Sequence, residues 1–156
     1  MTSLFEAARQ CLDAADPADK VALTHRHAAA FLRGELAIPA DAPPPQPIRM
    51  PGRPPRPRLV HPRELPRRGL GSDEGRAALL HAIAHIELNA THLRWHPAYR
   101  FTALPADFYR DWVQVADDEA RHFVLLRDRL RALGYDYGDF DAHNGLWEMT
   151  EKTAHD

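Results

Sequence analysis

Two stretches of helical periodicity, each interrupted by a carboxylate at the same depth, constrain this chain more than any other feature. From Trp112 onward the positions Trp112, Val115, Ala116, Phe123, Leu126, Leu130 and Leu133 recur at the spacing of a helix face, and Glu119 and His122 fall in that series where leucine is expected. In the preceding segment Leu80, Ile83, Ala84, Ala90 and Thr91 make a second such face, on which Glu87 alone carries charge. An ionised carboxylate taken from water without a partner costs several kcal/mol, so carboxylates on core-facing stripes call for a compensating positive charge. A metal ion would supply it.

The start and stop signals place the two helices. Ser72 is a natural N-cap with Asp73 and Glu74 in the first turn, Pro105 and Asp107 open the next helix, and Gly134 closes it. With helices over 72–101 and 105–133, Glu87 lies as far before the connecting turn as Glu119 lies after it. At ~1.5 Å rise per residue both reach one layer of an antiparallel pair. This register requires the first helix to continue through Pro97 with a kink, although an interior proline costs ~3 kcal/mol. One Glu from one helix and Glu-x-x-His from its neighbour is half of the ligand set of di-iron carboxylate four-helix bundles. Glu87, Glu119 and His122 are therefore the candidate metal ligands. Iron suits the mixed carboxylate and imidazole set better than zinc does.

Residues 39–70 have a different composition. They hold eleven of the 14 Pro and the seven arginines Arg49, Arg53, Arg56, Arg58, Arg63, Arg67 and Arg68, against only Asp41 and Glu64. Their charge of +5 leaves −7 for the rest of a chain whose net charge is −2. Such a stretch is expected to be extended and to lack a core of its own, acting as a strap across an acidic bundle; the sharper alternative is an arm for nucleic acid or another anion. Before it, Leu4, Phe5, Ala8, Cys11 and Leu12 predict a short amphipathic helix. Asp16 and Pro17 start a second that runs through Val21, Ala28, Phe31 and Leu32 to Gly34. Both are expected on the outside of the bundle, with Cys11 an inert packing residue. The chain thus divides into a helical pair at 1–37, a Pro/Arg-rich strap at 38–71 and a partial bundle at 72–156. The single cysteine excludes an intrachain disulfide. No run of about 18 apolar residues suggests a membrane span, and a reducing cytoplasm is the expected compartment.

The acidic, aromatic segment 135–145 reads as an ordered loop leading to a third bundle helix that begins near Leu146 and is cut off at Asp156. Returning from Gly145, that helix would regain the metal layer only after about fourteen residues, so Glu148, Glu151 and His155 read as a solvated face rather than as ligands. His81 and His85 stand at i and i+4, a zinc-like spacing with no third ligand, and read as a half-exposed polar face. His92, Trp95 and His96 read as surface or packing residues, and Asp117 and Asp118 as supports for a ligand or as solvated groups. Arg121 is expected to pair with a neighbouring acid.

The run His81-Ala-Ile-Ala-His-Ile-Glu-Leu-Asn-Ala90, the run Asp117-Asp-Glu-Ala-Arg-His-Phe123 and the loop Asp141-Ala-His-Asn-Gly-Leu-Trp-Glu148 resemble an uncharacterised bacterial ferritin-like family of unknown function, distantly similar to a di-iron hydroxylase that modifies tRNA. The resemblance covers nearly the whole chain, strap included. It implies an all-α, ferritin-like helical bundle, truncated after the start of the third bundle helix, with the family's first three presumed ligands on Glu87, Glu119 and His122. The family's later Glu and second Glu-x-x-His have no counterpart here, and Pro97 departs from its uninterrupted helix.

Three functions follow as expectations. In the first, two copies meet about a two-fold axis and hold two irons between them, making a small redox or iron-oxidising protein. In the second, the chain is a catalytically inactive, truncated ferritin-like domain whose exposed apolar face drives association. In the third, it is an interaction module whose strap binds RNA or an acidic partner, with Glu119 and His122 a hydrogen-bonded pair.

Overall fold

A computed structural model describes residues 2–143 except Pro44 and Arg49. The third helix expected near Leu146, with Glu148, Glu151 and His155, lies outside the described residues. Four α-helices, α1 (Leu4–Asp13), α2 (Pro17–Leu32), α3 (Asp73–Arg100) and α4 (Ala106–Ala132), make up the described chain, together with one 3-10 turn at Pro62–Glu64 and no strand among the described residues. The architecture is an all-helical bundle. α3 and α4 form a long pair, α1 packs on α3, α2 on α4, and α1 and α2 on each other.

The caps explain the boundaries. Ser3 Oγ accepts the Glu6 N–H at 3.2 Å while Glu6 Oε2 accepts the Ser3 N–H at 2.9 Å, a reciprocal capping box for α1. Asp16 accepts the Asp19 N–H at 3.0 Å with Pro17 at the first helical position of α2. Ser72 Oγ accepts the Gly75 N–H at 3.0 Å to start α3. Gly134, with φ 87°, ends the stretch after α4 in the left-handed region that glycine enters at little cost.

α3 does continue through Pro97 and ends at Arg100. The proline sits in the last turn, so it removes one hydrogen bond near an end that frays anyway, and Trp95 and Ala98, both wholly buried, hold the backbone on either side of it. Trp95 also donates its indole N–H to Thr24 Oγ1 on α2 at 3.0 Å. The connecting turn is tied by Tyr109 of α4, whose hydroxyl donates to Phe101 O at 2.8 Å and accepts the Leu104 N–H at 3.3 Å.

Two expectations about placement change. α1 and α2 are not peripheral: Leu4, Ala8, Cys11 and Leu12 share a core cluster with Trp95, Tyr109 and Val113. The buried face of α4 also differs from the expected stripe, since Tyr109, Val113, Ala116, Ala120, Phe123 and Leu130 are buried, whereas Trp112, Val115 and Glu119 are half-buried and His122 is exposed. The true core face is rotated from the predicted one because α2 packs on α4 from the other side. Cys11 is wholly buried as expected, and burial pushes its thiol up to about 12. Lys20 is also buried, its ammonium donating to Cys11 O at 2.7 Å and Leu12 O at 2.9 Å, a cation on the last carbonyls of α1.

The strap is stitched to the helices by backbone bonds. Gly52 donates to Leu12 O at 2.7 Å, and a Cβ at Gly52 would meet Asp13 O at 2.0 Å, so only glycine permits that crossing. Further on, Val60 donates to Ala142 O at 2.7 Å and Ala142 to Arg58 O at 2.9 Å.

His81 and His85 are buried, not half-exposed, and so are His92 and His96. The loop after α4 covers the first two. His81 Nε2 accepts the Gly138 N–H at 3.0 Å and its ring stacks on Tyr137. His85 bonds the Tyr137 hydroxyl through Nδ1 at 2.8 Å and His143 O through Nε2 at 2.7 Å. Burial pushes the imidazoles of His81 and His85 down to about 4 and that of His92 well below its ordinary value. Below pH 6.5 the unfolded chain therefore binds more protons than the folded one, and stability falls as pH drops from about 6.5 towards 4, at about 1.4 kcal/mol per pH unit for each such histidine. Urea midpoints measured across that window are expected to fall, and His85→Gln to flatten the dependence. Lys20→Met, which leaves the buried Cys11 carbonyl without a donor and Leu12 O with the Gly52 N–H alone, is expected to lower stability by about 1–3 kcal/mol in the same assay.

Candidate metal centre

Glu87 comes from α3, and Glu119 and His122 come from α4. Glu87 lies thirteen residues before Arg100 and Glu119 thirteen after Ala106, so the tied turn brings the two carboxylates level across the antiparallel pair. His122, one turn beyond Glu119, faces the same flank. The three side chains meet: one ligand atom from each lies within 4.8 Å of the other two. His122 Nδ1 is 3.4 Å from Glu119 Oε2 and 3.6 Å from Glu87 Oε2.

The trio sits at the edge of the α3·α4 seam. The side chains of Glu87 and Glu119 are 21% and 18% exposed and that of His122 is 55% exposed. On the same flank of α3 Leu79, Ile83 and Ile86 are exposed, which makes an apolar border for the acidic pair. Burial, reinforced by the neighbouring Glu119 carboxylate, pushes the Glu87 carboxyl up to about 7 against the opposing pull of His122. Glu87 Oε2 is buried and makes no hydrogen bond among the described residues. A cation between these groups would relieve the repulsion and occupy the unused lone pair, so the donor set fits a divalent metal.

Asp117 and Arg121 lie nearby but turn elsewhere. Asp117 bonds His25 Nδ1 of α2 and Arg121, and Arg121 also pairs with Asp118, so these groups clamp α2 to α4 beside the site. His81 and His85 belong to the opposite side of α3, locked to the loop at 135–143. The sequence reading passed over Arg94, a second charge on the flank of Glu87. Its guanidinium lies 5.4 Å from the Trp112 ring centroid, and its Nε is buried without a hydrogen bond among the described residues. The seven-residue step from Glu87 is the signal that marks it.

Several strap arginines make contacts within the chain. Arg58 forms a two-pronged pair with Asp141, Arg68 lies 3.8 Å from Glu74 and over the Phe140 ring, and Arg53 lines a recess of about 260 Å³ with His85, Leu88 and Tyr137.

Residues 13–156 match the model of a family described as "Protein of unknown function (DUF455)". The chain belongs to this family. It is also similar to an uncharacterized protein of Haemophilus influenzae (strain ATCC 51907 / DSM 11121 / KW20 / Rd), 48% identical over an aligned length of 110 residues that covers 66% of this chain and 38% of that relative. The matched part of the chain thus spans well under half the length of the relative. No solved structure matches. No helix among the described residues is long and apolar enough to cross a membrane.

Repulsion between the two carboxylates has a measurable consequence for the metal-free protein. Glu87→Gln is expected to raise stability by roughly 1–2 kcal/mol at pH 8, where the native carboxylate is ionised, with a smaller gain at pH 5. Denaturant titrations at the two pH values check it. An equal loss at both would mean that Glu87 contributes packing rather than a strained charge.

Proposed function

We propose that this chain carries half of a di-iron carboxylate site in a ferritin-like bundle, and that two copies supply the whole set for a redox or iron-oxidising role. The observation that carries the reading is the convergence of Glu87, Glu119 and His122 within 4.8 Å on an open flank of the α3·α4 pair. The raised carboxyl and unsatisfied Oε2 of Glu87 support it, because both are costs that a cation removes. Glu87 and Glu119 would hold the metal by carboxylate oxygens and His122 by a ring nitrogen, and iron suits that oxygen–nitrogen set. Bound iron would supply one-electron chemistry with dioxygen or peroxide as oxidant.

The rest of the work falls to the chain. Because the Glu87 carboxyl is raised to about 7, protons would compete with a cation for it, and loading would be favoured above about pH 7. The exposed Leu79, Ile83 and Ile86 would be covered by the second copy, excluding water beside the carboxylates. The internal contacts of Arg58, Arg68 and Arg53 weigh against the strap as the main functional surface.

Native mass spectra of protein reconstituted anaerobically with ferrous iron test this reading. A dimer carrying two irons is expected, with the iron lost on Glu119→Ala. A metal-free monomer from the unsubstituted chain would remove it.

A further inference from the structure

The metal reading leaves Arg94 unused. Arg94 stands seven residues after Glu87, so it returns to nearly the same face of α3 two turns on, about 10 Å along the axis. Trp112 stands seven residues before Glu119 on the antiparallel helix, the same distance in the same direction. The two meet, with the guanidinium 5.4 Å from the indole centroid. A cationic and aromatic layer therefore repeats the carboxylate layer one heptad along the seam. Between the layers, by helical spacing, fall the short side chains of Ala90 and Val115.

The cation–π contact with the indole holds the guanidinium beside Trp112, and a guanidinium fork can take an oxyanion through two parallel bonds. Arg94 forms no ion pair with a carboxylate among the described residues, and its Nε is buried without a hydrogen bond. A buried donor left unsatisfied is destabilising, so its place on this flank calls for a partner. The charge pattern supplies one. Glu87 and Glu119 repel an anion at their own layer, while Arg94 attracts it two turns away, which would orient a ligand that is charged at one end.

We infer that Arg94, seated over the Trp112 indole, anchors the anionic group of a substrate whose other end reaches the Glu87–Glu119–His122 layer. The substrate class is a medium-length acid, a carboxylate or a phosphate monoester, apolar between its ends. This rests on that layer being the metal centre.

The test uses octanoate, octyl phosphate and uncharged octanol as probes of the metal-free and iron-loaded protein. Binding is followed by NMR at the indole N–H of Trp112, assigned with Trp112→Phe. Octanoate or octyl phosphate is expected to bind at least tenfold more tightly than octanol, and the tighter of the two identifies the oxyanion. Arg94→Gln is expected to remove that preference, and Arg94→Lys, which keeps the charge without the fork, to retain part of it. Equal binding of octanoate, octyl phosphate and octanol by the unsubstituted protein overturns the inference without relying on any variant, as does Arg94→Gln protein that keeps the preference. Glu87→Ala separates the two readings, being expected to lose iron and keep the anion. Iron uptake without anion preference overturns the anchor alone. Anion preference in an unsubstituted protein that takes up no iron overturns the metal reading, and the substrate assignment with it.

Discussion

The turn that sets α3 against α4 is tied by one hydroxyl, that of Tyr109, and the two helices then pack along their length. Tyr109 reaches back across the connecting turn to Phe101 O and the Leu104 N–H, and it is itself enclosed by the core that α1 contributes. With the turn pinned in this way, positions equidistant from it in the two helices must face each other, and a shift of one residue would rotate each side chain by about 100° off its layer. The convergence of Glu87 with Glu119, and of Arg94 with Trp112, follows from that register. Pro97 is compatible with it because the missing hydrogen bond falls in the last turn, where Trp95 and Ala98 are buried.

The two sides of α3 are built for different purposes. On one, His81, His85 and Asn89 are buried beneath Tyr137 and the following loop, and their neutral rings give the interior specific hydrogen bonds at the expense of acid stability. On the other, Glu87 keeps a carboxylate beside Glu119 with an oxygen unused. The first side closes the fold on itself. The second keeps a raised carboxyl and an unsatisfied oxygen, the two costs on which the metal proposal rests.

The strap links these sides to the N-terminal pair. Gly52 lets it cross the end of α1 at backbone contact, and its bridge to Ala142 fixes the loop that seals the histidines. Arg58 on Asp141 and Arg68 on Phe140 anchor it to the same loop. Its basic charge thus complements acidic and aromatic groups of its own chain. The strap substitutes for core-forming sequence by lending hydrogen bonds and cations to elements that already have apolar faces.

Much of this was legible in the residues alone, because helix caps, helical period and turn signals are local properties. Ser3 and its capping box apart, the boundaries of α2, α3 and α4 followed from Asp16–Pro17, Ser72, Pro105 and Gly134, and counting residues from the turn placed Glu87 opposite Glu119. A period of 3.6 residues gives the spacing of a face but not which neighbour will cover it. Only tertiary packing decided that α2 would rotate the core towards Val113 and Ala120, leaving His122 outside. Packing likewise decided that Tyr137 would bury His81 and His85, since that contact joins residues more than fifty positions apart, and that Arg94 would lie over Trp112 rather than extend into solvent. Local sequence therefore determined the helices and the level of the candidate ligands, while long-range contacts determined which of the polar residues would be sealed in and which would remain open to a ligand.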